Sequence, residues 1–549
     1  MSRRASILAM LRALQVLAVI VVVSPHPRAL PVYATDSAAI TVAPALSDPS
    51  PACNGPPVHL VDASEESAER DAYFLTPIDG ALPATDSASA GTAMATGRKT
   101  DAGNIAWASG DPIDGAWETI AETLRRERGF AIGIGSTVPF DHATPASFVS
   151  HNTSRNNYTE LGREIVYDIA PDVVVGGGAP DFYSGGYRYL AEIDYYSLTR
   201  GLTAYTHVVT RASGIDGGAA LWDAAAKVDL ARGEKLFGYF GGAGGNFAYH
   251  DVSDSPGAPS VARGAIEDPT LAQVVTATLG VLNQDPEGFF AMFEQGDIDW
   301  SNHANDFAGM IGGVWDLDAA VETAERYVAQ APGMDWSNTL MIVTSDHSNS
   351  YMRLHTRLAA GDLPRQLWQD DAWTYPDGEV SYRTRSHTNE LVSLSARGRG
   401  ARLFELYAGS WYSGTVIVDN THVYEVMYRA VSELGVDHIV LLIGDGMNIN
   451  HEIAGSHYLY GRDFGLAWHD WACLDDGWFG FVATWDVDTY ERYAGAQGID
   501  YDDVDFDPAL GYDPRLGGAT PFPVIWADAA ILGPKMYLPL VSREGSSPL

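Results

Sequence analysis

The sequence predicts an α/β fold, a three-layer α/β/α arrangement around a large, mostly parallel central sheet. Two observations predict it. Continuous apolar, β-branched runs alternate with amphipathic stretches along the chain. Several of those runs then end in carboxylate and imidazole residues, as strands do where an open α/β sheet carries its site. The apolar runs are 172–175, 288–292, 339–343 and 438–443. They lack the alternation of a half-exposed strand, so both faces must be covered, which is the pattern of parallel strands between helices. Helical periodicity marks 117–128, 316–330 and 423–433.

Of 549 residues, 46% are apolar and 19% charged, a globular composition. The length alone allows three or four domains, but the spread of motifs favours one large domain over 67–530. With 34 basic against 71 acidic residues the net charge is −37. Such acidity argues against nucleic acid as a specific partner and against anionic membrane surfaces. Residues 1–34 read as a secretory signal: Arg3 and Arg4 precede an apolar run over 13–23, and Val32-Tyr33-Ala34 offers a cleavage site. The run is shorter than the roughly 20 residues that span a bilayer. Export to a periplasmic or extracellular compartment follows, with no membrane span in the mature chain. Residues 35–66, rich in Ala, Ser and Pro, read as a linker, and 531–549 as a tail. Export would permit a bond between Cys53 and Cys473. The acidic 500–513 stretch reads as a solvated loop, and 180–285 as loops or a cap around the site.

The chemistry gathers at the strand ends. Asp445 stands in Gly444-Asp445-Gly446-Met447-Asn448 after the 438–443 run. Asp346 and His347 follow 339–343, and Glu294, Asp299 and His303 follow 288–292. His387 precedes the apolar 391–394. Carboxylates and imidazoles with few thiols suit zinc and magnesium. Asp299 and His303 are four apart, so one helical turn puts both on one face. Each fragment alone is weak: Gly-Asp-Gly usually marks a turn, and a lone buried His is usually a core residue. Their shared position at strand ends is the argument.

Two further segments join them. Small residues dominate 85–97, leaving Ser87 unshielded; at a helix N-terminus it would meet amide groups that favour an anion. Alone, Asp86-Ser87 reads equally as a cap before an Ala-rich packing helix. In Asp141-His142-Ala143-Thr144, Thr144 offers a hard oxygen, and Arg155 nearby offers a planar fork for two phosphate oxygens. Alone, Arg155 reads as a surface arginine.

Together these residues resemble the alkaline phosphatases, within the superfamily that includes sulfatases and phosphodiesterases. The resemblance covers most of 67–530. It implies a metal-dependent hydrolase of small-molecule phosphate monoesters that holds two zinc ions and one magnesium ion and works through a phosphoserine. By similarity Ser87 is the nucleophile and Arg155 the phosphate clamp. Asp299, His303 and His387 match the first zinc site. Asp346 and His347 match the second, with Asp445 bridging it to a magnesium completed by Thr144 and Glu294. Asp86, His142 and Trp300 are implied as neighbours of these groups. His142 stands where relatives carry Asp or His, and Trp300 where they carry Lys, His or Trp. A homodimer is left open.

One departure is large. In the family the strand leading to Gly-Asp-Gly-Met precedes the serine motif, whereas here 436–530 follows His387. The order therefore resembles a circular permutation, and the 438–443 strand is expected beside 339–343. Two alternatives remain: a phosphodiesterase or sulfatase of the superfamily, and a secreted zinc- or phosphate-binding protein without turnover. Thr144 and Glu294 speak against the diesterase, and Ser87 with Arg155 against the mere binder.

Overall fold

All four apolar runs form neighbouring or nearby strands of one ten-stranded sheet. In spatial order the strands are Ile417–Asp419, Gly477–Ala483, Val392–Gly398, Thr339–Thr344, His438–Gly444, Phe289–Gln295, Ala131–Pro139, Val173–Gly177, Leu236–Tyr239 and His207–Thr210. The computed structural model describes residues 68–370, 372–499 and 506–517. The signal and linker expected before residue 67, Cys53, and the tail at 531–549 lie outside the described residues.

The sheet is mixed rather than fully parallel. Val392–Gly398 runs antiparallel to both of its neighbours, while the other pairings are parallel. The central strands are buried throughout, as their unbroken apolar character requires: every residue of His438–Gly444 and Phe289–Gln295 is covered. Phe290, Met292, Ile439 and Leu441 belong to one core cluster with the helices Ile120–Arg128 and Thr421–Leu434. The alternate residues Ala291, Phe293, Val440 and Leu442 point to the other face, where Leu271–Leu282 and Phe307–Gln330 pack. Burying each such large side chain is worth about 1.5–3 kcal/mol.

The helices differ from expectation mainly at their starts. The stretch expected from 117 begins at Ile120, because Thr119 and Glu122 cap it reciprocally. The helix expected from 316 begins at Phe307, where Asp306 accepts the Gly309 amide. Gly309, Gly312 and Gly313 interrupt the apolar period there and hid the first turns.

Two expectations are corrected. The 180–285 segment is more than loops or a cap: His207–Thr210 and Leu236–Tyr239 complete one edge of the sheet, and Leu271–Leu282 packs against it. The described part of the acidic 500–513 stretch is not simply solvated. Pro508–Gly511 forms a short helix, and Tyr512 is fully buried against Tyr412 and Tyr73.

Among the described residues no helix is long and apolar enough to cross a membrane.

A buried ion pair ties the early helix to the sheet edge. Lys99, just past the helix Ser87–Thr96, sets its Nζ 3.0 Å from Asp419 Oδ2, 2.7 Å from Asn420 Oδ1 and 2.6 Å from the Trp485 carbonyl. Both charged side chains are almost wholly covered. Removing one partner strands the other charge. Lys99→Met is therefore expected to cost about 3–5 kcal/mol, and adding Asp419→Asn should recover most of it. Chemical denaturation of both variants checks this.

Candidate active site

Four adjacent parallel strands end at one place. Beyond Thr339–Thr344 come Asp346 and His347, and beyond His438–Gly444 comes Asp445. Glu294 lies at the end of Phe289–Gln295, paired in register with Ile443 on one side and Ser136 on the other. Ala131–Pro139 leads to His142 and Thr144. The chain after Gln295 turns directly into the helix Asp297–His303, which places Asp299 and His303 one turn apart. His387 enters from a short antiparallel pairing with Asn349, two residues past His347.

These side chains converge. His303 Nε2 is 3.2 Å from Asp299 Oδ2 and 3.2 Å from His387 Nε2. His387 Nε2 is 3.6 Å from Asp299 Oδ1. His347 Nε2 lies 3.2 Å from Asp346 Oδ2, 3.6 Å from Asp445 Oδ1 and 3.1 Å from Ser87 Oγ. The His347 and His387 rings stack at 3.5 Å. Among the described residues two sets of three atoms are close enough to share an ion: Asp299, His303 and His387, and Asp299, His347 and Asp445. Asp299 thus reaches both.

The donor chemistry fits cations. His303 Nδ1 meets the Arg385 carbonyl at 2.7 Å, and His387 Nδ1 meets that of Thr85 at 2.9 Å. With each Nδ1–H donating, Nε2 is the atom each ring offers to a metal; without one, Asp299 overcomes burial and holds His303 protonated, up to about 9. Glu294 Oε1, Thr144 Oγ1, Asp346 Oδ2 and both oxygens of Asp445 are buried without a hydrogen-bond partner among the described residues. Buried polar atoms are rarely left so.

The electrostatics point the same way. Burial, then the Asp299, Asp346 and Glu294 carboxylates, push Asp445 far above the usual carboxylate range. Burial lifts Glu294 to about 7, and burial with Asp299 lifts Asp346 to about 6. Burial lowers His347 to about 4, and burial with the neighbouring His347 does the same to His387. Crowded carboxylates and neutral imidazoles are the state a bound cation stabilises.

Ser87 opens the helix Ser87–Thr96, capped by Asp86, whose carboxylate accepts the Ser89 amide at 3.0 Å. Its hydroxyl is buried yet faces His347. The helix packs tightly on Ala143–Val149: a Cβ at Gly91 would stand 2.8 Å from Ser147 Oγ. Gly446 plays a comparable role past Asp445. It adopts φ +67, and a Cβ there would lie 2.6 Å from Asp299 Oδ1.

Arg155 Nη1 pairs with Asp86 Oδ2 at 2.9 Å. Burial opposes the Asp86 charge, but Arg155 and the Ser89 and Gly103 amides hold it down at about 2. His142 is held neutral, down to about 3, by burial and then by Arg155. Its ring meets Trp300 edge-on at 5.7 Å. All thirteen residues singled out in the sequence thus lie at or beside this cluster.

Several supporting residues escaped sequence reasoning. Ser136 donates to Glu294 Oε2 at 2.5 Å, and Asn349 Nδ2 to Asp299 Oδ1 at 2.5 Å. Asp486 accepts from Ser89 Oγ at 2.9 Å, from a segment almost 400 residues distant. Only Asn349 carried a signal, its place two residues past Asp346-His347. Asn448 caps the helix Ile449–Tyr460 and donates to Ser348 Oγ at 2.8 Å.

The model of the family described as alkaline phosphatase matches residues 68–374. An alkaline phosphatase of Escherichia fergusonii is 31% identical over 351 residues, 58% of this chain and 69% of the relative. Alkaline phosphatase H of Pseudomonas aeruginosa is 30% identical over 382 residues, 62% of this chain and 73% of the relative. Among solved structures, a cold-active alkaline phosphatase from the psychrophile Shewanella sp. aligns with TM-score 0.45 and 22% identity, covering 64% of this chain and 86% of that one.

A pH prediction follows from Glu294. Its ordinary value is 4.5 and its folded value about 7, so the folded state keeps a proton that the unfolded chain releases. The stability it contributes falls as pH rises from about 4.5 to 7, and the full penalty persists above. In chelator-treated protein Glu294→Gln removes that penalty. It is expected to be more stable than wild type at pH 8, on the order of 3 kcal/mol, with the gap closing at pH 5. Melting curves at both pH values check this.

Proposed function

Because the chain belongs to the alkaline phosphatase family, we propose that it hydrolyses phosphate monoesters to inorganic phosphate and an alcohol through a phosphoserine at Ser87. The observation that carries this is the Ser87 hydroxyl 3.1 Å from His347 Nε2, against a cage of buried carboxylate and imidazole atoms. A metal-binding protein without turnover would need neither Ser87 nor Arg155.

In this reading Asp299, His303 and His387 would hold one zinc ion, Asp346, His347 and Asp445 a second, and Asp445, Thr144 and Glu294 a magnesium ion. Bound there, the cations would supply Lewis acidity at the attacking and leaving oxygens and offset the carboxylate charge.

The chain's own residues do the rest. Ser87 Oγ attacks phosphorus in line, the Oγ–P bond forms, and the ester P–O bond breaks to release the alcohol. Water then displaces the phosphoryl group from Ser87, giving inorganic phosphate and restoring the hydroxyl. The amides at the N-terminus of Ser87–Thr96 favour the anionic group throughout. Arg155 offers its fork to two non-bridging oxygens, and Asp86 keeps the fork aimed. Neutral His142 and the Trp300 ring border the pocket without adding charge.

We read 436–530 as the counterpart of the family's N-terminal segment, set after His387. Its support is that the family match ends at 374 while the His438–Gly444 strand pairs between Thr339–Thr344 and Phe289–Gln295. With residues 1–34 read as a signal, the enzyme acts after export.

The test strips metal with chelator, restores zinc and magnesium, and compares 4-nitrophenyl phosphate with its bis-ester and with the sulfate ester. Restored turnover of the monoester above both others is expected, and Ser87→Ala should lose at least about a thousandfold in kcat while binding as much zinc. Faster diester or sulfate turnover would reassign the substrate class. Unchanged turnover in Ser87→Ala would remove the phosphoserine.

A further inference from the structure

Arg188 stands on the rim of the site in an unusual electrical position for this chain. The protein carries a net charge of −37, yet Arg188 pairs with no carboxylate among the described residues. Its side chain is exposed. It is nonetheless held in place: the guanidinium lies 4.9 Å from the centroid of the Tyr158 ring and 5.8 Å from that of Tyr189. The backbone under it is anchored too. Tyr189 is buried and packs edge-on against Tyr158 at 5.0 Å, and the Ser184 amide donates to the Ala243 carbonyl at 3.1 Å.

Tyr158 links this arginine to the reaction centre. It opens the helix Tyr158–Glu164, three residues past Arg155. Its ring lies nearly parallel to that of His142, at 14° and 6.3 Å, and His142 in turn meets Trp300. The Tyr158 hydroxyl feels the field of both Arg155 and Arg188. The inner guanidinium, Arg155, is already paired with Asp86, while the outer one, over the Tyr158 ring, donates among the described residues only to the Tyr183 hydroxyl, at 3.5 Å. Stacking on a ring at an exposed site is worth little by itself, and fixing an arginine costs side-chain entropy. A planar fork so held is suited to a carboxylate or phosphate oxygen pair.

We propose that Arg188, seated on Tyr158, forms a second anion subsite that selects phosphate monoesters whose alcohol portion carries a further anionic group. This rests on the phosphatase reading above and deepens it, by placing the phosphoryl group at Arg155 and Ser87 and the second anion at Arg188 over the Tyr158 ring.

A matched pair of substrates tests it. Glycerol 1-phosphate and 3-phosphoglycerate differ only in a hydroxymethyl group replaced by a carboxylate. Arg188→Ala is expected to lower kcat/KM for 3-phosphoglycerate about tenfold, mainly through KM, while glycerol 1-phosphate stays within about twofold. Arg188→Glu should widen the gap, and 0.5 M salt should narrow the wild-type preference because the subsite is exposed. Equal losses for both esters, or no loss for either, would overturn the subsite and leave the phosphatase reading standing. Absence of phosphate release from both esters by metal-restored wild type would instead defeat the phosphatase reading, and the subsite with it.

Discussion

The cluster depends on one strand lying where it does. His438–Gly444 pairs in parallel with Thr339–Thr344 on one side and Phe289–Gln295 on the other, so its backbone is satisfied on both edges and its side chains are covered on both faces. Its register puts Ile443 opposite both Thr344 and Glu294. Asp445 therefore emerges level with Asp346 and Glu294, although these residues come from different parts of the chain. A slip of one residue would swing Asp445 to the opposite face of the sheet. The apolar run makes the strand, and its pairing with both neighbours aims the carboxylate.

That aim brings like charges together at a cost. Asp299, Asp346, Asp445 and Glu294 are all buried, and three of them are pushed above the ordinary carboxylate range by burial and by one another. Asp299 is the exception. Burial works against its charge too, yet His303 first, with His387 and His347 beside it, holds it low. Asn349 and Ser136 add hydrogen bonds to individual oxygens. Structures that keep such crowding generally do so at functional sites. Ser87 sits where this arrangement meets a helix N-terminus, and the Thr85 carbonyl just before it accepts from His387. Nucleophile and ligands are thereby joined through one short stretch of backbone.

Much of this was legible in the sequence because strand ends carry chemistry in a form that patterns reveal. Apolar runs followed within a few residues by Asp or His located the Asp346, Asp445 and Glu294 segments, and an i, i+4 spacing located Asp299 with His303. The supporting shell was not legible. Ser136 and Asn349 act through single hydrogen bonds whose partners lie 50 or more residues away, and no local spacing announces such contacts. The Val392–Gly398 strand alternates apolar and polar residues, but its reversal follows from the hairpin-like return of the chain through His387, which depends on tertiary pairing with Ser348 and Asn349. The edge strands after residue 200 were read as loops because they are only four residues long and, in His207–Thr210, only half-buried.

The most direct measurement is anomalous diffraction at the zinc edge from crystals of zinc-loaded protein. The account requires one zinc peak bounded by Asp299, His303 and His387 and a second touching His347 and Asp445 within reach of Ser87. Zinc bound only at other positions, or a density map with Asp445 turned away from His347, would contradict it.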